Sequence, residues 1–570
     1  MSTNSTKSSS RQKARARSRA TESGSSRLER DAAVSEVQDI PEQAWRIGAI
    51  VIFLIAAVLR LYDLNLVPLH HDEGVNGNFL VRLVREGFYQ YDPANYHGPT
   101  LYYFSAIIPW ITKLLFGSAA RDNYGLTTFN VRLITVLFGL GTIVLVFLLR
   151  RRLGTVATLA AGLLLAVSPG AVYLSRYYIH ESLFVFFTLG IVVACVWFYD
   201  PRKPAYLMPG AACAALLFAT KETAMISVGV LLIAFALTVV YGWFTQQSVQ
   251  QGNKRYKPSG RLSGFIEEIG GTSSLFPAIG TAVFVFLALY LLFYSSFLTN
   301  NKGIMDSLQT FAVWTRTGTS AHVHPASMYI TWLVKLESPL LFLGATGAAI
   351  AVLRPKNLTA LFCGLWAFGL IAAYSIIPYK TPWLMLNFVV PLALISGYAI
   401  QAIYEMDHAQ LRLASVVLLV AVGLATYQSI DLNFVNYDND SPKYVYVYAH
   451  TRRGTLDLVN QVEQIAKENS GGLTGITIVS PDYWPLPWYF RNFSRVGYFG
   501  RMAASSEPIV IANENQKEEI ETGFGQLYRQ VPSKDPGGSF ELRPGVKLLL
   551  YVRRPGFGPE STPPPSIQNP

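Results

Sequence analysis

Cysteine and charge are what this chain has least of. Its three cysteines in 570 residues, Cys195, Cys213 and Cys363, all lie inside apolar stretches without metal-type spacing. That excludes a disulfide framework and a cysteine zinc site, and leaves them as small packing residues. Charged residues are only 15% of the chain against 51% apolar, a balance that excludes an ordinary soluble enzyme. No short apolar core followed by a small-residue cleavage site opens the chain, so no cleaved signal peptide is predicted. No Walker, Rossmann or zincin pattern is present in its required context, so nucleotide-driven chemistry has no support.

What is abundant is apolar length. Stretches of about 18 to 24 residues recur between residues 47 and 430, each long enough to cross a bilayer. The chain therefore reads as a polytopic α-helical membrane protein. Residues 1–20 hold six Lys/Arg and no acid, and residues 1–44 are expected to be a disordered basic cytosolic tail. The net charge of +11 is explained by Lys/Arg collecting in cytoplasmic loops, and no nucleic-acid partner is expected.

Charge also threads the spans. Arg150-Arg151-Arg152, Pro201-Arg202-Lys203-Pro204, the stretch with Lys254, Arg255, Lys257 and Arg261, and Arg354-Pro355-Lys356 should all be cytoplasmic. With the span near 129–149 running inward, residues 65–128 form one large external loop, and its apolar piece 101–116 becomes a re-entrant or interfacial helix. About eleven transmembrane helices then occupy a domain spanning 45–430. The odd count puts the C-terminus outside. Residues 431–553 turn soluble in composition, with strands predicted at 475–479, 508–511 and 546–552 and helices at 455–469 and 516–530, a small external α/β domain. Residues 554–570 form a disordered Pro-rich tail.

On this thread nearly every unusual polar cluster falls on the external face. The run His70-His71-Asp72-Glu73-Gly74 follows the first apolar segment directly, and a carboxylate so near hydrocarbon is expensive to keep unless it has a use. Asp72 fits a general base; a solvated helix start is the plainer alternative for the pair Asp72 and Glu73. Glu181, after His180, could orient a substrate, share a divalent metal ion with Asp72, or pair with Arg176 merely to fix its loop. Lys221 and Lys380, each an isolated cation between spans, suggest a phosphate clamp, although lone lysines also snorkel. His71, His97, Arg176, His180 and Glu222 complete the candidate substrate-binding set. His322 and His324 read as a loop feature, not a metal site. The aromatic run Tyr483-Trp484-Pro485-Leu486-Pro487-Trp488-Tyr489 reads as a docking surface or interface belt.

The order of a first helix, the Asp72-Glu73 loop, His97-Gly98-Pro99-Thr100-Leu101-Tyr102-Tyr103, a span with Arg132 ending in Arg150-Arg151-Arg152-Leu153-Gly154, then Ser168-Pro169, Ser175-Arg176-Tyr177 and Glu181 resembles the GT-C superfamily glycosyltransferases. Within it the chain is similar to the protein O-mannosyltransferase and lipid-A aminoarabinose transferase branch. It is most similar to a prokaryotic membrane family described as flippase-associated in archaeal N-glycosylation, which shares the acid pair and a segment like Tyr379-Lys380-Thr381-Pro382-Trp383. The resemblance covers about residues 45–400. It implies inverting transfer of a sugar from a polyprenyl-phosphate carrier to a glycan, lipid or protein acceptor on the external face of a prokaryotic cell membrane. By the same resemblance Asp72 is the base, Glu181 assists, and Lys221 and Lys380 contact the carrier phosphate. His97-Gly98-Pro99 departs from the Lys-Pro-Pro or His-Pro-Pro element of some relatives, which leaves the acceptor open. The rival readings are a lipid-linked-oligosaccharide flippase or transporter subunit, and a scaffold that anchors the external domain.

Overall fold

The structure, a computed structural model, describes residues 40–94, 97–200, 203–250, 271–317, 322–354, 357–406, 408–534 and 537–555. Residues 1–39 of the basic tail, the basic stretch 254–261, Arg202, Lys356 and residues 556–570 of the Pro-rich end lie outside the described residues.

The chain runs through α1 (Glu42–Leu61), two helices of the first large loop, α2 (His71–Glu86) and α3 (Thr100–Phe116), and then α4 (Thr128–Leu148). A bent pair follows, α5 (Thr155–Val167) and α6 (Pro169–Ser175), then α7 (Glu181–Tyr199), α8 (Leu207–Phe218), α9 (Ala224–Gln250) and α10 (Gly271–Tyr294). After α11 (Lys302–Thr317) comes a second bent pair, α12 (Met328–Leu336) and α13 (Ser338–Leu353). Helices α14 (Leu358–Ile376), α15 (Leu386–Tyr404) and α16 (His408–Ile430) complete the bundle. Among the described residues eight helices are long and apolar enough to cross a membrane, and the bent pairs, broken by 61° and 111°, raise that to ten. The short apolar α8 occupies the place of the eleventh predicted span. Helix α3 is 17 residues long, too short for an untilted crossing, and leaves Leu114, Leu115 and Phe116 exposed at its end.

Both breaks are held by polar side chains, because lipid offers backbone groups no partner. Pro169 has no N–H to give the Leu165 carbonyl. Arg60 of α1, fully buried, replaces it by donating to the carbonyls of Leu165 (3.1 Å) and Ala166 (2.9 Å). Glu337, at the second break, accepts from the Ser168 hydroxyl (2.9 Å) and the Gly170 N–H (2.7 Å). The two bends are thereby stitched to each other. Helix α15 is buried along nearly all its length between α5, α13 and α14.

Beyond α16 stands a small sheet domain. Its strands are β1 (Ile476–Ile478), β2 (Val496–Tyr498), β3 (Ile509–Asn513), β4 (Tyr528–Val531), β5 (Phe540–Arg543) and β6 (Val546–Arg553). They lie in the order β2-β1-β3-β6-β4, with β5 also on β6; β1 runs parallel to β2 and β3, and β6 antiparallel to β3, β4 and β5. Helices α17 (Gly454–Glu468) and α18 (Lys517–Phe524) belong to it. The helix predicted over 516–530 stops at Phe524, and the Tyr528 hydroxyl donates to the Glu507 carbonyl at 2.8 Å, tying β4 into the sheet. The three- and four-residue strands β2, β4 and β5 are too short for an alternation to register.

The aromatic run is the domain's foot on the bundle. A Cβ built on Gly74 would stand 2.5 Å from the Pro485 side chain, and one on Gly77 would stand 2.6 Å from the Trp488 indole. Only a bare backbone lets the run sit this close to α2. Trp488 is buried there, and the Tyr489 hydroxyl accepts from the Leu69 N–H at 2.9 Å.

Candidate active site

The start of α2 sets the position of the acid pair. His70 is the N-cap: its Nδ1 accepts from the Asp72 N–H at 3.1 Å while Glu73 accepts from the His70 N–H at 2.9 Å, a reciprocal capping box. The adjacent acids then part. Glu73 is fully buried and gripped by Arg132 of α4 through two contacts, 2.8 and 2.6 Å, and also accepts from the Tyr178 N–H at 2.7 Å. Arg132 donates further to the carbonyls of Leu64 (2.6 Å) and Val67 (2.9 Å). The Asp72 carboxylate is 41% exposed, with His70 Nδ1 at 3.8 Å, and lines a cavity of about 510 Å³.

Around this cavity the structure gathers His71, Asp72, His97, His180, Glu181, Lys221 and Glu222, seven of the ten predicted site residues. A short antiparallel bridge, His97 to Lys221, joins the two loops that carry three of them, His97, Lys221 and Glu222. The Gly98 N–H donates to the Thr220 carbonyl at 3.0 Å, and a Cβ on Gly98 would stand 2.0 Å from the Ala219 carbonyl oxygen. Hence the glycine of His97-Gly98-Pro99. The bridge brings His97 Nδ1 to 3.2 Å from Glu222, while Lys221 reaches back to Glu181 at 2.6 Å.

These pairs set the electrostatics. Burial works against the Lys221 charge, but Glu181 and then Glu222 outweigh it and hold the ammonium well above its ordinary range. Burial likewise works against the Glu222 carboxylate, yet His97 and Lys221 keep its pKa below the usual value. Burial, reinforced by His97 and Lys221, pushes His180 far down, so that it stays neutral, with Nε2 against the Gly98 carbonyl at 3.1 Å. Burial lowers His71 too, against the pull of Asp72.

Three predicted residues do not face the cavity, each for a physical reason. Glu73 is spent on Arg132. Arg176 makes no ion pair with Glu181; it closes the end of α1 by donating to the carbonyls of Arg60 (3.3 Å), Tyr62 and Asp63 (2.8 Å). Lys380, buried, donates to the Ser375 carbonyl (3.1 Å) and the Ile377 carbonyl (2.5 Å) at the end of α14. Orphan helix carbonyls attract cations, and a sequence does not reveal which lysine will be so used. The shared cation for Asp72 and Glu181 fits poorly as well. An ammonium already occupies the Glu181 carboxylate, and among the described residues no three His, Cys, Asp or Glu side chains are grouped to hold a metal ion.

The sequence missed the other wall. His322, Tyr379 and Trp383 line it with Tyr448 and Arg543 from beyond the last span. His322 packs edge-on against Tyr379 at 5.4 Å, and Trp383 against Tyr448 at 6.1 Å. His324 lies apart from the cavity, against Trp332 at 5.6 Å. Tyr379 and Trp383 lie in the segment Tyr379-Lys380-Thr381-Pro382-Trp383; nothing local marks Tyr448 or Arg543.

A model of the family "Dolichyl-phosphate-mannose-protein mannosyltransferase" matches residues 105–250. No curated protein matches the sequence. Among solved structures the chain is similar to ArnT from Cupriavidus metallidurans bound to undecaprenyl phosphate, with 12% identity and a TM-score of 0.58 over 89% of this chain and 98% of that one. It is also similar to the oligosaccharyltransferase AglB from Archaeoglobus fulgidus in complex with an inhibitory peptide and a dolichol-phosphate, with 13% identity and a TM-score of 0.52 over 87% of this chain and 74% of that one. This chain, a helical bundle with several membrane spans, polar loops converging on one cavity and a docked C-terminal sheet domain, is thus similar in fold to both of these solved structures.

Proposed function

We propose that the protein transfers a sugar from a polyprenyl-phosphate carrier to an acceptor hydroxyl or amide at the non-cytoplasmic face of a prokaryotic cell membrane, with Asp72 as general base. The observation that carries this reading is the contrast among the three lining carboxylates: Glu181 is bound to Lys221 and Glu222 to His97, whereas Asp72 keeps 41% of its side chain open to the cavity. A base must reach the acceptor proton. Asp72 takes that proton as the acceptor atom bonds to the anomeric carbon, the bond from that carbon to the phosphate oxygen breaks, and polyprenyl phosphate leaves. Both solved relatives bind a polyprenyl-type phosphate, which favours that carrier class. His71 and His180, neutral, and the Lys221–Glu181 and His97–Glu222 pairs form the polar wall against which the sugar is oriented. With residues 1–44 cytosolic, the basic loops inside and residues 431–553 outside, the cavity faces away from the cytoplasm.

The test is Asp72→Asn, which keeps the side chain's size and removes the base. Transfer from a labelled polyprenyl-phosphate sugar should fall about a hundredfold or more at equal expression. Full transfer by this variant would end the assignment. Lipid flipping scored in vesicles without acceptor separates the transporter reading, which requires flipping by the wild type without transfer.

A further inference from the structure

Arg543 belongs to the soluble domain, more than 100 residues past the last span, yet it lines the same cavity as Asp72. Three details show how it gets there. It ends β5, where the ladder with β6 is irregular between Glu541 and Arg543, and such bulges re-aim a side chain that regular alternation would send elsewhere. Asp482, just before the aromatic foot, accepts from its Nη2. The foot itself is seated on α2, with Trp484 against His71 at 6.0 Å.

Among the described residues, two Lys or Arg side chains line the cavity, Lys221 and Arg543. Lys221 is buried and committed to Glu181 at 2.6 Å. Lys380 and Arg176, the other predicted phosphate or substrate ligands, are committed to backbone carbonyls. Arg543 is 22% exposed, and its partner Asp482 is 34% exposed. A guanidinium has five donors in a rigid fork, and the hydrogen bond to Asp482 uses a single one of them.

The geometry points to Arg543 as the cation that binds the phosphate of the lipid carrier, so that the soluble domain completes the donor site. This rests on the function proposed above and adds the residue that reads the donor's charge. The phosphate bears negative charge before transfer and one more when the sugar leaves, and a fork-shaped donor placed in advance answers both states. Asp482 holds the fork in place.

The experiment uses the purified full-length protein and three variants, Arg543→Gln, Arg543→Lys and Asp482→Asn. Binding is measured to a short-chain polyprenyl phosphate and, as a control, to the matching polyprenol. Arg543→Gln should weaken phosphate-lipid binding about tenfold or more and leave polyprenol binding unchanged; Arg543→Lys should recover part of it. Asp482→Asn keeps an acceptor oxygen that holds the guanidinium while removing the carboxylate charge, and should bind the phosphate lipid within about threefold of wild type. Inorganic phosphate should compete with the lipid in wild type and lose that ability in Arg543→Gln. Unchanged phosphate-lipid affinity in Arg543→Gln, an equal loss for polyprenol, or an equal loss in Asp482→Asn each overturns the assignment, the last by showing that the pair matters only for folding. Asp72→Asn run in parallel should keep donor binding. If that variant still transfers, the proposed base is lost while the Arg543 binding result stands or falls by itself.

Discussion

The Glu73 carboxylate meets the Arg132 guanidinium at 2.8 and 2.6 Å with both side chains buried, one residue after an acid that faces open cavity. Neighbouring carboxylates thus serve opposite purposes. Removing one member of a buried pair leaves an uncompensated charge, at a cost of about 3–5 kcal/mol. Glu73→Gln should therefore lower stability more than Asp72→Asn, in thermal unfolding of detergent-solubilised protein. A larger loss for Asp72→Asn would reverse this division of labour.

Lys221 and Glu181 extend the argument to the cavity wall. Lys221→Met strands a buried Glu181 and should cost about 3–5 kcal/mol, whereas the double variant Lys221→Met/Glu181→Leu should regain much of it because two apolar groups of similar size replace the pair. Activity should stay low in both, as the double variant still lacks the polar wall. Recovery of transfer together with stability would reduce the pair to scaffolding.

Burial depresses the His180 imidazole well below its ordinary value of 6.5, which fixes the sign of a pH effect. The unfolded chain takes up a proton near 6.5 and the folded one only at lower pH, so this contribution to stability is complete above 6.5 and declines as pH falls through the window beneath it. Unfolding midpoints measured between about pH 5 and 8 should show this decline in the wild type and a weaker one in His180→Gln. Identical slopes would remove His180 as the source.

Gly77 allows the Trp488 indole to approach α2, so Gly77→Val should lift the aromatic foot from the bundle. The expected result is faster proteolysis in residues 436–450, which link the last span to the domain, and weaker transfer with the span region still folded. Protection equal to wild type would show that the domain is held mainly elsewhere.

The orientation is checked by single cysteines at Ser5 and Thr522 in a background lacking the three native cysteines. An impermeant reagent applied to intact cells should label Thr522→Cys and spare Ser5→Cys. The opposite pattern would invert the whole thread.

Much of the fold was legible in the chain because span length and acids at helix mouths are local signals. The pairs around Lys221 were half legible: the residues stood out, while their mutual neutralisation depends on the Gly98 approach that brings two distant loops together. Arg176 and Lys380 misled because a cation on a helix carbonyl and a cation in a binding site have the same sequence appearance. Arg543 was invisible because a bulge, which no alternation predicts, decides where it points.

The use of Arg60, Arg176 and Lys380 on backbone carbonyls has a consequence for substrate capture. The cavity wall carries three carboxylates, Asp72, Glu181 and Glu222, against Lys221 and Arg543, so it has no positive field with which to draw an anionic carrier from a distance. On the function proposed above, delivery then depends on the carrier's hydrocarbon tail confining it to the plane of the membrane, where encounter is a lateral search. Raising the ionic strength screens long-range attraction; here it should leave the encounter rate nearly untouched, and carrier concentration in the bilayer, rather than charge, sets how often the cavity is filled.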